Sequence, residues 1–202
     1  KTILSEFNTS TRIQFERLLT KKNIQLQREF RAISAAGGLL VSADAREVQL
    51  DETFWITQAG AQSWPAASGF AVDAAGFIQV EDTLQTLNSD NVFAVGDCAR
   101  MVNHPRPKAG VYAVRQGKPL FRNVMALLLG TNPKPYKPQS SFLSLISTGP
   151  RHAIASRSGL SLGGNWAWGW KNWIDTRFMR RFSELPIMLE EPENILQAEF
   201  DD

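Results

Sequence analysis

The chain has 202 residues, 43% of them hydrophobic, which is enough to bury the core of one large domain or of two smaller ones. Its 22 basic and 20 acidic residues give a net charge of +2, so the composition does not indicate a nucleic-acid partner. The single cysteine, Cys98, excludes an intrachain disulfide framework, a paired-cysteine redox centre and a cysteine zinc cluster.

The sequence also gives expectations about location and metal chemistry. No apolar run is long enough to span a bilayer and no cleavable signal peptide is visible, so we expect a cytoplasmic location. With only two histidines, His104 and His152, no metal site is expected.

The first quarter of the chain shows a helical pattern followed by short strand patterns. Residues 9–23 carry apolar side chains at helical spacing after a cap at residues 8–10, and residues 24–27 alternate like a half-buried strand. Residues 32–50 predict a meander of two or three strands with glycine and aspartate turns. Residues 54–57 predict a further buried strand.

The most informative segment is residues 91–97, Asn-Val-Phe-Ala-Val-Gly-Asp. Its apolar run predicts a strand buried on both faces, which ends at Gly96 and Asp97. Glycine permits a sharp exit and a close approach by a ligand, and aspartate can accept hydrogen bonds from ribityl or ribose hydroxyls. Ligands bind beyond strand ends in open α/β sheets, although a core strand with an incidental aspartate is the alternative.

A long helix and a proline-rich segment follow this turn. Residues 109–129 carry apolar residues on one broad face, and Gly130 is a natural helix stop. Gly117 and Pro119 predict a division or kink within the helix. Three prolines in residues 132–139 predict a stiff linker.

Residues 83–86, the Gly96-Asp97 turn and the run Pro-Lys-Ala-Gly-Val-Tyr-Ala-Val-Arg-Gln-Gly from Pro107 together resemble the second flavin-binding signature of the pyridine nucleotide-disulfide oxidoreductase superfamily. They are most similar to its type II NADH dehydrogenase-like branch. The resemblance implies a mixed α/β fold, part of an FAD/NAD(P)-binding fold of the three-layer ββα sandwich type. It also implies FAD as cofactor and NAD(P)H as co-substrate.

The same resemblance assigns roles to particular residues. Asp97, after Gly96, would contact the ribityl chain of FAD. The start of the next helix would face the pyrimidine edge of the isoalloxazine ring, through Lys108, Ala109, Gly110 and Val111. A helix amino terminus stabilises negative charge, which suits a reduced flavin there. Lys108 could favour the anionic flavin or merely solvate the helix start.

The chain departs from the family pattern in two ways. None of its 14 glycines forms a GxGxxG loop, so we expect a carboxyl-terminal portion of a longer enzyme, inactive alone, whose upstream half supplies both loops. Gln58 stands where family members have a glycine close to the cofactor, so no contact is carried over to Gln58.

Residues 142–149 and 152–156 predict a hairpin, and a tryptophan-rich helix follows. Together with the earlier motifs, these segments resemble the flavoprotein domain fused in front of selenide, water dikinase. That resemblance implies a coupling to selenium metabolism. Nothing like the catalytic segment of the kinase itself occurs in the chain.

The predicted carboxyl-terminal helix has an aromatic stripe beside a basic face. The stripe contains Trp166, Trp170, Trp173, Ile174, Phe178 and Phe182. Three interpretations stay open: peripheral docking on a membrane, packing of the stripe on the sheet or over the flavin site, and a homodimer interface. The acidic residues after Phe182 indicate a solvated tail or an interdomain linker.

These patterns predict four segments: the back half of an inserted NAD(P)-binding domain at 1–55, the end of the FAD-binding domain at 56–131, a hairpin and helix at 132–185, and a tail at 186–202. Cys98 is expected to be buried and inert, unless a partner thiol lies upstream. His104 is expected in a surface loop, with protonation of an acceptor as the alternative.

Two functions follow as hypotheses. The first is an oxidoreductase that passes hydride from NAD(P)H to FAD and electrons on to a quinone or another acceptor. The second is a non-catalytic module for interaction or membrane docking, derived from such a flavoprotein.

Overall fold

The computed structural model describes residues 3–56 and 59–184. Its helices are α1 Thr9–Lys21, α2 Trp64–Ala67, α3 Gly110–Leu128 and α4 Asn165–Ser183. Its strands are β1 Ala32–Ala36, β2 Leu39–Ser42, β3 Glu47–Gln49, β4 Ile78–Val80, β5 Gln85–Thr86, β6 Ser89–Phe93, β7 Ala99–Met101, β8 Ser144–Gly149, β9 His152–Arg157 and β10 Leu160–Gly164. The chain forms two compact units, one from residues 30–142 and one from the described parts of residues 1–29 and 143–202.

The contiguous unit contains two sheets. The predicted meander is confirmed as an antiparallel sheet in the order β1-β2-β3. The second sheet has the order β6-β5-β4-β7, in which β4 and β7 run parallel and the other pairs are antiparallel. Its core residues are Ile78, Val80, Leu84, Ala94, Ala99 and Met101, with Leu120 of α3 packed against them.

The other unit joins α1 to a three-stranded sheet. The predicted cap is confirmed, because the Asn8 side-chain oxygen accepts the Thr11 N–H at 2.9 Å. The buried Thr11 hydroxyl donates to Ser156 Oγ at 2.8 Å, which ties α1 to β9. The predicted hairpin is confirmed as β8 and β9, and β10 extends the sheet in the order β10-β9-β8. The predicted mixed α/β fold class is therefore confirmed.

Three strand predictions are wrong. Residues 54–56 form no strand, and Phe54 and Ile56 are 81% and 94% exposed. Among the described residues no strand pairs with this segment, so its backbone has no sheet to join. Residues 24–27 likewise form no strand. Residues 92–95 are not buried on both faces, because β6 lies at the sheet edge and pairs with β5 alone.

Two further outcomes concern α3 and residue 58. The helix is not divided at Gly117 or Pro119, since α3 continues from Gly110 to Leu128 with Pro119 buried. The predicted departure at Gln58 lies outside the described residues.

Candidate functional site

An open cleft lies in the contiguous unit, between the Gly96-Asp97 turn and the amino end of α3. Its walls include Gly96, Asp97, Arg106, Lys108, Tyr112 and Gln116. The turn follows the end of β6, and α3 packs against the core of the same sheet. The cleft therefore lies beyond a strand end, where the sequence predicted a ligand site.

The Gly96-Asp97 turn has the geometry that the sequence suggested. Gly96 has a φ of +71°, a left-handed conformation that glycine adopts without strain, and Gly96–Cys98 form one 3-10 turn. Asp97 is exposed and lines the cleft. Its carboxylate forms no hydrogen bond or ion pair with any residue that the structure describes, so both oxygens remain available as acceptors.

Lys108 lines the cleft, but its ammonium group is engaged by the protein itself. Nζ donates a hydrogen bond to the Ala99 carbonyl and lies 4.0 Å from the centre of the Phe77 ring. Burial lowers the pKa of Lys108, and the carboxylates of Asp73 and Asp97 act in the opposite direction. The side chain thus places positive charge in the cleft wall and fastens the end of the turn.

The amino end of α3 is open toward ligands. Ala109 precedes the helix in an extended conformation and supplies no side-chain cap. The amides of Gly110 and Val111 have no acceptor among residues 3–56 and 59–184. A Cβ added to Gly110 would meet no atom within 4 Å, so the approach is free. Ala109 lines the cleft, whereas Gly110 and Val111 begin the helix beside it.

Arg106 attaches the proline-rich segment to the cleft. Its guanidinium donates to the carbonyls of Pro105, Pro138 and Gln139 at 2.9, 3.2 and 2.9 Å. Residues 132–142, here called the strap, are therefore held on the unit rather than forming a free spacer. The Tyr136 N–H also donates to the Asp82 carbonyl at 2.8 Å, and the Tyr136 ring packs on the sheet core.

His104 and Cys98 complete the comparison with the sequence. His104 is half-buried in the cleft wall, with Nε2 3.7 Å from Asp82 Oδ2. Cys98 is exposed, so its predicted burial is wrong, and its thiol donates to the Val95 carbonyl at 3.2 Å.

Sequence reasoning missed two residues that organise the cleft, Arg106 and Gln116, and a third, Asn123, that holds the strap. Gln116 lies in the motif that begins at Pro107. Its contact with Gly96 spans 20 residues, so no pattern of neighbouring residues predicts it. Asn123 and Arg106 bind backbone groups of the strap, which no spacing along the sequence indicates. The roles predicted for Gly96, Asp97, Lys108, Ala109, Gly110 and Val111 stay predictions, now with their places known.

A second surface lies on α4. Ala167 and Trp168 pack against the sheet of their unit, whereas Trp166, Trp170 and Trp173 of the predicted stripe are 51%, 43% and 58% exposed. Arg177 lies over the Trp173 ring, 5.6 Å from its centre. Among the described residues, no helix is long and apolar enough to cross a membrane.

The cleft fits one arm of a flavin. The unpaired Asp97 carboxylate suits the hydroxyls of a ribityl chain, and the open amides of α3 suit a carbonyl edge that gains negative charge. Gly96 brings the backbone close without a side chain in the way. The donors and acceptors of the cleft are therefore chemically compatible with the flavin that the sequence resemblance implies.

Part of the chain is similar in sequence to known oxidoreductases and related proteins. Ferroptosis suppressor protein 1 of Xenopus tropicalis is 35% identical over 101 residues, 50% of this chain and 26% of that protein. The type II NADH:quinone oxidoreductase of Haemophilus influenzae is 29% identical over 105 residues, 48% of this chain and 23% of that protein. The chain thus spans about a quarter of the length of these relatives.

Among solved structures, the sulfide:quinone oxidoreductase of Aquifex aeolicus matches with a TM-score of 0.70 and 17% identity, over 88% of this chain and 46% of that one. This likeness shows the fold. The sequence model of the pyridine nucleotide-disulphide oxidoreductases matches residues 1–117 of 202. Because that match covers more than half of the chain, the chain belongs to the pyridine nucleotide-disulphide oxidoreductase family.

Proposed function

We propose that this chain forms the flavin-facing part of an NAD(P)H-dependent oxidoreductase that uses FAD and delivers electrons to a quinone. The observation that carries the proposal is the unpaired Asp97 carboxylate beside the open amino end of α3, in a chain of this family. Relatives named as quinone oxidoreductases support the choice of acceptor.

The chemistry that bound FAD would supply is uptake of hydride from the nicotinamide and transfer of electrons to the acceptor. The residues of this chain bind and orient it. Asp97 would accept hydrogen bonds from the ribityl hydroxyls, and the free amides of Gly110 and Val111 would serve as donors to the pyrimidine edge. The amino end of α3 and the fixed charge of Lys108 favour negative charge at that edge.

The proposal is tested on the full-length natural polypeptide that contains this sequence. We expect the purified protein to be yellow and to be bleached by NADH or NADPH, with colour restored by a soluble quinone. Asp97→Asn should raise the dissociation constant of FAD about tenfold to a hundredfold, because hydrogen bonds to a charged acceptor are stronger than neutral ones. Flavin fluorescence quenching measures this constant.

Asp90→Asn is the matched control, since Asp90 is exposed in the same unit outside the cleft. A colourless protein that takes up no FAD, or equal FAD affinity in Asp97→Asn and the unmutated protein, contradicts the proposal. The 202-residue chain alone should bind FAD weakly, because no GxGxxG loop occurs in it.

We further propose that the electrons serve selenium metabolism through a fused selenide, water dikinase. Support comes from the sequence resemblance of residues 107–117, 142–149 and the tryptophan-rich helix. The coding sequence after Asp202 tests this proposal, since a kinase domain in the same reading frame is expected there.

A second candidate function is docking on an anionic membrane surface through α4. The exposed Trp166, Trp170 and Trp173 favour it, because tryptophan partitions into the membrane interface. Arg177, Arg180 and Arg181 on the same helix are exposed and would face anionic headgroups. A peripheral location at a membrane follows from this proposal.

Co-sedimentation with phosphatidylserine-containing vesicles tests the docking. Trp170→Ala combined with Arg180→Ala should weaken binding about tenfold or more, and salt should weaken it further. Trp55→Ala combined with Lys118→Ala, at exposed positions outside α4, is the matched control. Absence of vesicle binding by the unmutated protein, with a concentration-dependent dimer instead, would favour a homodimer interface.

A further inference from the structure

Gln116 connects α3 to the Gly96-Asp97 turn by a direct hydrogen bond. Its side-chain oxygen accepts the Gly96 N–H at 2.7 Å, and the residue is 8% exposed. Losing a hydrogen bond to a buried acceptor is costly, because the donor that remains has neither a protein partner nor water to bind.

The turn also touches α3 at close range. A Cβ built on Gly96 would lie 3.5 Å from Ala113 Cβ, in ordinary van der Waals contact. The end of the turn is fastened by Lys108, whose ammonium binds the Ala99 carbonyl. Side chains that flank the amino end of α3 therefore hold the turn at both of its ends.

This arrangement has a consequence for a bound ligand. The Asp97 carboxylate and the open amides of α3 belong to different elements, and a rigid ligand that contacts both needs their separation to be fixed. The Gln116 bond lies between the two elements, one residue away from Asp97.

We propose that Gln116 is a positioning residue, which holds the Gly96-Asp97 turn against α3 and so sets the place of the Asp97 carboxylate. The identity of the ligand rests on the proposed flavin function, whereas the hydrogen bond between Gln116 and Gly96 does not. Gln116 contacts Gly96 rather than the cofactor itself, and its role is to fix the position of the turn.

Three variants of the full-length polypeptide separate the possibilities. Gln116→Met keeps the length of the side chain and removes the acceptor oxygen. Gln116→Glu keeps an acceptor oxygen at the same position. Lys118→Met is the matched control, because Lys118 is exposed on the same helix.

The first measurement is hydrogen exchange of the Gly96 amide at single-residue resolution. Gln116→Met should speed this exchange about tenfold, and Gln116→Glu and Lys118→Met should leave it close to that of the unmutated protein. Unchanged Gly96 exchange in Gln116→Met overturns the proposal, whether or not FAD binds.

The second measurement is FAD affinity in a double-mutant cycle with Asp97→Asn. Gln116→Met alone should weaken FAD binding about tenfold, but it should add little in the Asp97→Asn background, because both changes act through one carboxylate. Fully additive losses overturn the positioning role.

The two measurements also separate this proposal from the flavin function. If neither the unmutated protein nor any variant binds FAD, the proposed function fails. The exchange rate of the Gly96 amide still decides the role of Gln116. Should Gln116→Met not fold, Gln116→Asn, which withdraws the amide by one methylene, replaces it in both measurements with the same expected outcomes.

Discussion

Asp73 shows how one carboxylate can organise a turn and an ion pair together. One of its oxygens accepts the N–H groups of Ala75 and Phe77, each at 2.9 Å, and the other lies 3.1 Å from Arg100 Nη1. Burial by itself raises the pKa of Asp73. The two amides and the Arg100 charge outweigh it, so that the pKa lies below its ordinary value of 3.8.

A lowered carboxyl pKa makes a defined contribution to stability. The ionised form is favoured in the folded state, so the contribution is present above the ordinary value of 3.8 and is lost as pH falls through the lower folded pKa. Asp73→Asn should therefore lower the free energy of unfolding by about 1 kcal/mol at neutral pH, since the Arg100 partner is half exposed.

Urea unfolding at several pH values measures this prediction. The gap between Asp73→Asn and the unmutated protein should close below the ordinary pKa of aspartate, and the control Asp90→Asn should show no comparable gap. A gap that widens in acid would contradict the assignment.

At the scale of elements, Asn123 joins α3 to the strap. Its amide donates to the carbonyls of Thr83 and Lys134 at 2.8 and 2.9 Å, and its oxygen accepts the Lys134 N–H at 2.9 Å. Because Asn123 is 2% exposed, these backbone groups have no water to replace it. One side chain thus fixes a helix, a turn and the strap together.

Asn123→Leu should lower the free energy of unfolding by about 3 kcal/mol, since buried backbone groups lose their partners. Arg122→Leu is the matched control at the exposed neighbouring position. Chemical denaturation gives both values, and hydrogen exchange of residues 134–139 should rise only in Asn123→Leu. Equal stability of the two variants would show that the strap does not depend on this contact.

The packing of α4 shows where apolar periodicity is insufficient. The sequence predicted a stripe led by Trp166 and Trp170, but the residues against the sheet are Ala167 and Trp168. The sheet side of this contact is also small, with Ala153 and Ala155 fully or nearly buried. Small residues on both sides allow close approach of helix and strand, a property that hydrophobicity alone does not reveal.

At the scale of the whole molecule, the chain divides into a contiguous unit and a discontinuous one. Residues 30–142 form the unit that holds the cleft, whereas described parts of residues 1–29 and 143–202 form the other. The joining of α1 to β9 through Thr11 and Ser156 explains the second unit, because this contact spans 145 residues.

The sequence by itself determined the elements whose signals are local. The cap of α1, the meander, the hairpin and the long α3 follow from capping residues, turn residues and apolar periodicity. Residue types also predicted a ligand site at the Gly96-Asp97 turn and the start of α3. The backbone freedom of glycine, the acceptor oxygens of aspartate and the free amides of a helix start are local properties.

The tertiary structure decided which groups meet. Burial of residues 54–56 and 92–95 depends on neighbouring strands, and the choice of face on α4 depends on small residues of the sheet. Likewise, Leu84 adopts a φ of +70° while fully buried, which its residue type opposes and its surrounding core permits. Contacts between distant residues, such as Gln116 with Gly96, form only when the packed elements bring them within hydrogen-bond distance.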